Sequence, residues 1–175
     1  PHTPAIPDPL WSRGLGDVYK RQLLKHSIIN KPERYDRTWE TKARYSMDWY
    51  YPILCGVLDK DAAIERVDKK WDVFIVEGMG CKCVSEEPWV TVAESCELVM
   101  ALMRIGLEDK AKSLFDCLHQ WRDEDDGLYW TGYVYTDKKF WPVEKPTWTA
   151  GAVLLAADSI YKFTEASELF LVDLN

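Results

Sequence analysis

The chain has 175 residues, enough for one domain with a substantial core, and 47% of them are hydrophobic. Its formal net charge of −7 excludes the basic surface that non-specific nucleic-acid binding requires, so no nucleic-acid partner is expected. No apolar run in the sequence reaches the roughly 20 residues of a transmembrane helix, so no membrane span is expected.

The N-terminal region differs in composition from the rest of the chain. Residues 1–9 contain four prolines, which are incompatible with a helix interior or a central strand. Residues 11–22 closely resemble a translated linker sequence that recurs at the ends of assembled environmental reads. We therefore predict that residues 1–22 form a non-native or disordered tail, and the alternative is an ordinary flexible arm.

The remaining sequence predicts helices of two kinds. Residues 60–71 and 108–121 each place apolar side chains along one stripe, which is typical of an amphipathic helix. Residues 92–105 and 147–161 are apolar almost all round, which predicts helices that are buried on every side. A further buried helix is predicted to begin within residues 44–51.

Alternation of buried and amphipathic helices is the repeating unit of an α/α toroid. We predict an all-α fold, a partial α/α toroid of about three helical hairpins within residues 23–165, with sheet limited to short pairings within residues 73–90. A closed toroid has roughly five to seven hairpins, so the chain is expected to lack the N-terminal half of its own domain. Residues 166–175 are predicted to be a truncated C-terminal end.

The cysteines favour a reduced, cytoplasmic setting. There are five, an odd number, and Cys96 and Cys117 lie on the apolar faces of predicted helices, where free cysteine packs as a small hydrophobe. Cys81 and Cys83 lack partner ligands at zinc spacing. No metal and no cofactor are therefore predicted.

The candidate site lies where the N-termini of the inner helices would gather. The long loops 73–88 and 123–146 lead to that end of a toroid, and long loops on a helical scaffold are often functional. The candidate catalytic carboxylates are Asp48, Glu94 and Glu144. The candidate substrate-binding aromatic residues are Tyr50, Trp89, Tyr133, Trp141 and Trp148.

Several of these residues have two interpretations. Glu94 follows Thr91 by three residues at a helix start, so it either closes a capping box or lies in the pocket. Glu144 lies in a loop between two tryptophans and is either a desolvated general acid or a surface carboxylate paired with a nearby lysine. The tryptophans are either core residues or walls of the site.

Three segments, 44–52, 83–98 and 130–158, resemble a bacterial family of prenyltransferase-like proteins in the terpenoid cyclase and protein prenyltransferase superfamily of α/α toroids. A degenerate version of the glutamine–tryptophan repeat of triterpene cyclases is also present, at Lys110, Ala111, Phe115, Gln120, Gly127 and Trp130. The run Asp-Glu-Asp-Asp at 123–126 matches the acid motif of class II terpene cyclases, but its position between a helix and Gly127 favours a solvated turn. The resemblance implies a central cavity that binds an isoprenoid or a polyprenyl-linked lipid.

Aromatic walls with carboxylates also suit a sugar ring, so three functions stay open. The first is a prenyltransferase-like protein, which as an enzyme would be a transferase or a terpene cyclase. The second is an (α/α) carbohydrate-active enzyme, glycoside hydrolase-like, that acts on a glycan through paired carboxylates. The third is a non-catalytic helical scaffold whose own side chains fill the cavity.

Overall fold

The structure is a computed structural model in which residues 10–36 and 39–171 are described, with side chains from residue 18 onward. Two compact units divide the chain, residues 1–40 and residues 41–175. The first unit contains helix α1 (Leu10–Asn30) and a short 3₁₀ helix, Pro32–Tyr35. The predicted tail, residues 1–22, overlaps α1 from residue 10, and its first nine residues lie outside the described part.

The second unit is built around helix α4. Its helices are α2 (Ser46–Leu54), α3 (Lys60–Phe74), α4 (Val92–Arg104), α5 (Glu108–Cys117) and α6 (Thr147–Tyr161). Short 3₁₀ helices cover Lys42–Arg44, Leu118–Trp121 and Glu165–Glu168. Helix α4 packs against α2, α5 and α6. Among the described residues no helix is long and apolar enough to cross a membrane.

A five-stranded antiparallel sheet accompanies these helices. Its strands, in spatial as well as chain order, are β1 (Ile75–Val76), β2 (Gly80–Lys82), β3 (Trp89–Thr91), β4 (Gly132–Val134) and β5 (Lys139–Phe140). The all-α, partial-toroid prediction is therefore wrong, and β4 and β5 lie outside the segment in which pairings were expected. Strands of two or three residues are too short to display the alternation by which a strand is recognised in sequence.

Helix α4 is buried on nearly all sides. Its buried residues are Val92, Ala93, Ser95, Cys96, Leu98, Val99, Met100, Ala101 and Leu102. The helix ends in a Schellman motif, in which Leu107 N–H donates to the Leu102 carbonyl at 3.0 Å and Gly106 N–H donates to the Met103 carbonyl at 3.1 Å. Gly106 has φ of +79°, a conformation that glycine adopts at little cost.

Helix α6 is not buried on every side, in contrast to the prediction. Val153, Ala156 and Ile160 belong to the core. Leu154 is 71% exposed, and Trp148, Leu155 and Tyr161 are also exposed. Part of the apolar surface of α6 is therefore not covered by the described residues.

Pro52 interrupts the hydrogen-bond ladder of α2 without ending the helix. Because proline has no N–H, the Asp48 carbonyl four residues earlier lacks its helical donor. Arg66 of α3 replaces that donor, since its Nη2 donates to the Asp48 carbonyl and its Nε donates to the Trp49 carbonyl, both at 2.8 Å. Trp49 Nε1 donates in return to the Arg66 carbonyl at 2.8 Å. These contacts fix α2 on α3 and so fix the direction of the tyrosines that follow Trp49.

Candidate active site

The sheet joins both long loops to the beginning of α4. Strand β3 leads directly into α4 and pairs with β2 on one side and with β4 on the other. Val92 N–H donates to the Thr131 carbonyl at 3.0 Å, and Ser46 N–H at the start of α2 donates to the Cys83 carbonyl at 3.0 Å. The first turns of α2 and α4 therefore lie beside the two loops.

Glu97, on the second turn of α4, accepts hydrogen bonds from two tyrosines of α2. Tyr50 Oη donates to Glu97 Oε2 at 2.5 Å, and Tyr51 Oη donates to Oε1 at 3.3 Å. Tyr50 is fully buried whereas Tyr51 is 40% exposed, so the carboxyl group lies at the boundary between core and solvent. Glu97 is not among the carboxylates predicted from the sequence, although its spacing from Glu94 places the two carboxylates on one face of a helix.

Burial raises the pKa of Glu97 above its usual value. The hydrogen bond from Tyr50 lowers this pKa and the negative charge of Glu94 raises it, but desolvation is the largest cause and sets the direction. A carboxyl group of raised pKa keeps its proton closer to neutral pH. This is the property that a general acid requires.

Glu94 lies one turn before Glu97. Its Oε2 is buried and has no hydrogen-bond partner among the described residues. The Thr91 side chain makes no cap hydrogen bond, so the predicted capping box does not form. Burial, followed by the charge of Glu94, raises the pKa of the Cys83 thiol to about 12. We refer to Tyr50, Tyr51, Cys83, Glu94 and Glu97 as the acidic cluster.

Asp48 is engaged in ion pairs outside this cluster. Lys42 Nζ lies 2.5 Å from its Oδ1, and Arg66 Nη2 lies 3.9 Å from its Oδ2. Its side chain is only 12% exposed. These contacts give Asp48 a role in holding α2 against the Lys42–Arg44 segment and α3.

Glu144 is exposed, so the desolvation on which its predicted acid role depends is not present. Its carbonyl accepts a hydrogen bond from Thr131 N–H at 3.1 Å, and its Oε1 lies 3.5 Å from Thr131 Oγ1. The neighbouring Lys145 pairs with Asp123 and Asp126, not with Glu144.

The predicted binding aromatics separate into two groups. The first group makes contacts within the protein. Tyr50 is buried against Glu97, and Tyr133 stacks on Trp121 with ring centroids 4.4 Å apart. Trp89 donates from Nε1 to the Trp141 carbonyl at 2.8 Å. Trp141 is 52% exposed and Trp148 is 54% exposed, so their rings are the ones in this set with substantial surface open to a ligand.

The acidic run at 123–126 forms a hydrogen-bonded turn. Asp123 accepts from Asp125 N–H and Asp126 accepts from Leu128 N–H, both at 2.9 Å. Lys145 Nζ bridges the two carboxylates at 2.8 and 2.5 Å, and these hydrogen bonds lower the pKa of both aspartates. The structure of this run is therefore that of the hydrogen-bonded turn.

A groove of about 370 Å³ lies between the end of α3, the β1–β2 turn and α5. Trp71 and Glu77 line it, which would suit a sugar. However, Lys110 Nζ lies 4.2 Å from the centroid of the Trp71 ring and covers that face. The groove contains no member of the acidic cluster.

The sequence of the chain is similar to that of a known mannosidase. No protein-family model matches the sequence. The chain is 44% identical, over 164 residues, to the MMP endo-(1,4)-3-O-methyl-alpha-D-mannosidase of Mycolicibacterium hassiacum. The match covers 94% of this chain and 43% of that protein, so the chain spans less than half of the relative's length.

This similarity corrects the prenyltransferase-like resemblance and the isoprenoid ligand that it implied. The relative's name describes a glycosidase, and the sheet is inconsistent with the all-helical toroid that the resemblance implied. In the degenerate repeat motif, Gln120 has a structural role, since its Nε2 donates to the Gly78 carbonyl at 2.7 Å and so ties the Leu118–Trp121 helix to the β1–β2 turn.

Proposed function

We propose that this chain is part of a glycoside hydrolase that acts on a mannose-containing glycan. The observation that carries the proposal is the 44% identity to an endo-mannosidase over 94% of the chain. A glycan substrate also agrees with the aromatic and acidic surroundings of the first turns of α2 and α4. The glycoside hydrolase alternative thereby replaces the lipid-binding interpretation.

We assign Glu97 as the proton donor. Glycosidic cleavage needs a carboxylic acid that protonates the leaving oxygen while the bond to the anomeric carbon breaks. Glu97 combines a raised pKa with partial access to solvent, and it is held by Tyr50 and Tyr51. Water then adds to the anomeric carbon, which completes the hydrolysis.

A second carboxylate is needed to accept the proton of that water or to stabilise the charge on the sugar. Glu94 is the carboxylate whose charge acts on Glu97. It also has a buried oxygen that lacks a hydrogen-bond partner among the described residues. We propose Glu94 for this supporting role. Asp48 and Glu144 are not proposed for it, because the Asp48 carboxylate forms ion pairs and the Glu144 side chain is exposed.

Trp141 and Trp148 are proposed as aromatic walls of the sugar site. Sugar rings and their methyl ethers present C–H surface that packs well on an aromatic face. Both side chains are more than half exposed, and they lie in the loop before α6 and in its first turn. A 3-O-methyl-mannose unit, as named for the relative, would suit such a surface.

Hydrolysis of α-(1,4)-linked 3-O-methyl-mannose oligosaccharides by the purified full-length protein that contains this chain tests the proposal, with products identified by mass spectrometry. Glu97→Gln should lower kcat by about 100-fold or more, since general acid catalysis typically supplies that much. Glu108→Gln is the matched control, because Glu108 is an exposed glutamate paired with Lys112. Equal rates for the wild type and Glu97→Gln would reject the acid assignment, and no hydrolysis by the wild type would reject the function.

A further inference from the structure

The two oxygens of the Glu97 carboxyl group are held in different ways. Oε2 accepts a 2.5 Å hydrogen bond from a fully buried hydroxyl group, that of Tyr50. Oε1 accepts a longer, 3.3 Å hydrogen bond from Tyr51, which is partly exposed. The carboxyl group therefore has one oxygen bonded to a buried hydroxyl group and one bonded to a partly exposed tyrosine.

We propose that Tyr50 is a positioning residue that anchors Oε2 of Glu97, and that Oε1, beside Tyr51, is the oxygen that exchanges a proton with a bound substrate. The role of Oε1 in proton transfer rests on the proposed function. The difference between the two hydrogen bonds does not depend on it. Tyr50 and Tyr51 are consecutive residues of one helix whose direction is fixed by the Arg66 and Trp49 contacts. Their hydroxyl groups therefore have stable positions relative to α4.

The proton of the neutral acid belongs on Oε1 for a simple reason. Tyr50 already donates its proton to Oε2, so Oε2 is the acceptor oxygen in both protonation states. A proton on Oε1 can pass to the leaving oxygen of a substrate. The carboxylate that remains is then stabilised by the unchanged hydrogen bond from Tyr50.

The charged and titratable groups around Glu97 come from three elements. Tyr50 and Tyr51 approach from α2, Glu94 and Cys96 lie on α4 itself, and Cys83 lies in the β2–β3 connection. No lysine or arginine forms an ion pair with Glu97 among the described residues. The tyrosine hydroxyl groups are therefore the groups here that favour the ionised form, and removing one should raise the titration midpoint of Glu97.

Carboxyl ¹³C NMR titration of glutamate-labelled protein measures that midpoint directly, with Glu97 assigned from the Glu97→Gln spectrum. We expect Tyr50→Phe to raise the midpoint by at least 0.5 pH unit, about threefold in the protonation constant, and by more than Tyr51→Phe does. Tyr35→Phe, a change at an exposed tyrosine of the first unit, should leave the midpoint unchanged. No rise in Tyr50→Phe, or an equal rise in the two α2 variants, would overturn the proposal.

A measurement on the unaltered protein covers the case in which Tyr50→Phe does not fold. The Tyr50 hydroxyl proton should give a slowly exchanging downfield ¹H signal that shifts as Glu97 titrates. Absence of a protected hydroxyl signal at any pH would contradict the anchoring contact. If the signal and the midpoint shifts occur but the wild type hydrolyses no mannoside, the proposed function fails while the positioning role stands.

Discussion

Tyr50 Oη and Glu97 Oε2 lie 2.5 Å apart although the two residues are 47 positions apart in the sequence. The contact crosses the interface between α2 and α4 and joins a carboxyl group to a buried hydroxyl group of the core. It explains how a glutamate on a largely buried helix is accommodated, since a buried polar group is costly unless it is hydrogen-bonded. Burial also raises the pKa of Glu97 above that of an ordinary surface glutamate.

The raised pKa of Glu97 predicts a pH dependence of folding stability. Since the folded state binds the proton more tightly than the unfolded state, stability should fall as pH rises from the unfolded pKa to the higher folded pKa, and should then level off. Glu97→Gln removes the titrating group, so its stability should fall less with pH over that window. Urea denaturation at intervals from pH 4 to pH 8 measures this, and a wild-type slope retained in the variant would contradict it.

Arg66→Met should destabilise the protein by removing the donors that replace the helix hydrogen bond lost at Pro52. The carbonyls of Asp48 and Trp49 would lose their side-chain partner, which costs about 1–3 kcal/mol in total because water can reach part of the site. Lys69→Met is the matched control, since Lys69 forms an exposed ion pair with Glu65. The free energy of unfolding in urea is the measurement, and equal values for the two variants would show that Arg66 is not needed.

Trp148→Ala and Trp141→Ala should weaken glycan binding while leaving the protein folded. Both side chains are more than half exposed, so truncation opens little space in the core. Loss of a stacking face should reduce affinity for a 3-O-methyl-mannose oligosaccharide by about 2- to 10-fold, measured by isothermal titration calorimetry. Trp39→Ala, a change at a tryptophan that is 78% exposed in the first unit, is the control. Unchanged affinity in both site variants would reject the aromatic walls.

The five free thiols should react at very different rates with iodoacetamide. Cys55 is exposed and should be alkylated first, whereas Cys81 and Cys96 are buried and should react only on unfolding. Cys83 is partly accessible, but a pKa of about 12 leaves about one thiolate in 10⁴ at pH 8. Peptide mapping after timed alkylation measures the order. Early labelling of Cys83 would mean that burial and the charge of Glu94 do not suppress its ionisation.

The positions of helices α2 to α6 were predictable because they depend on local periodicity, whereas α1 (Leu10–Asn30) was not predicted and overlaps the residues assigned to a tail. The predicted helix 147–161 coincides with Thr147–Tyr161, and the predicted helix 92–105 extends one residue beyond Val92–Arg104. Apolar residues at helical spacing need no knowledge of partners to be recognised. The sheet was not predictable in the same way, since β4 and β5 are two or three residues long, and β4 joins the rest of the sheet by pairing with β3, which lies about 40 residues earlier in the sequence.

In the candidate site, too, local features were predictable from the sequence, whereas features that depend on distant residues were not. Glu94 and Tyr50 were predicted from the sequence as site residues, and in the structure Tyr50 is hydrogen-bonded to Glu97 while Glu94 lies one turn before it; their roles stay predictions. Glu97 was missed because its importance comes from α2, which shields it from water and presents two hydroxyl groups to it. Asp48 and Glu144 were equally plausible by residue type, and only the positions of Lys42, Arg66 and solvent distinguish them from Glu97.

The sequence by itself determined where the main helices form, that Asp123 and Asp126 favour a turn, and that aromatic and acidic residues concentrate around the loops before α4 and α6. Those properties depend on side chains that are near one another along the chain. Only the tertiary structure decided which carboxylate loses water, which aromatic rings remain exposed, and which donor replaces the one that Pro52 lacks. Desolvation and hydrogen bonding depend on distances between residues from different elements, and those distances exist only once the chain is folded.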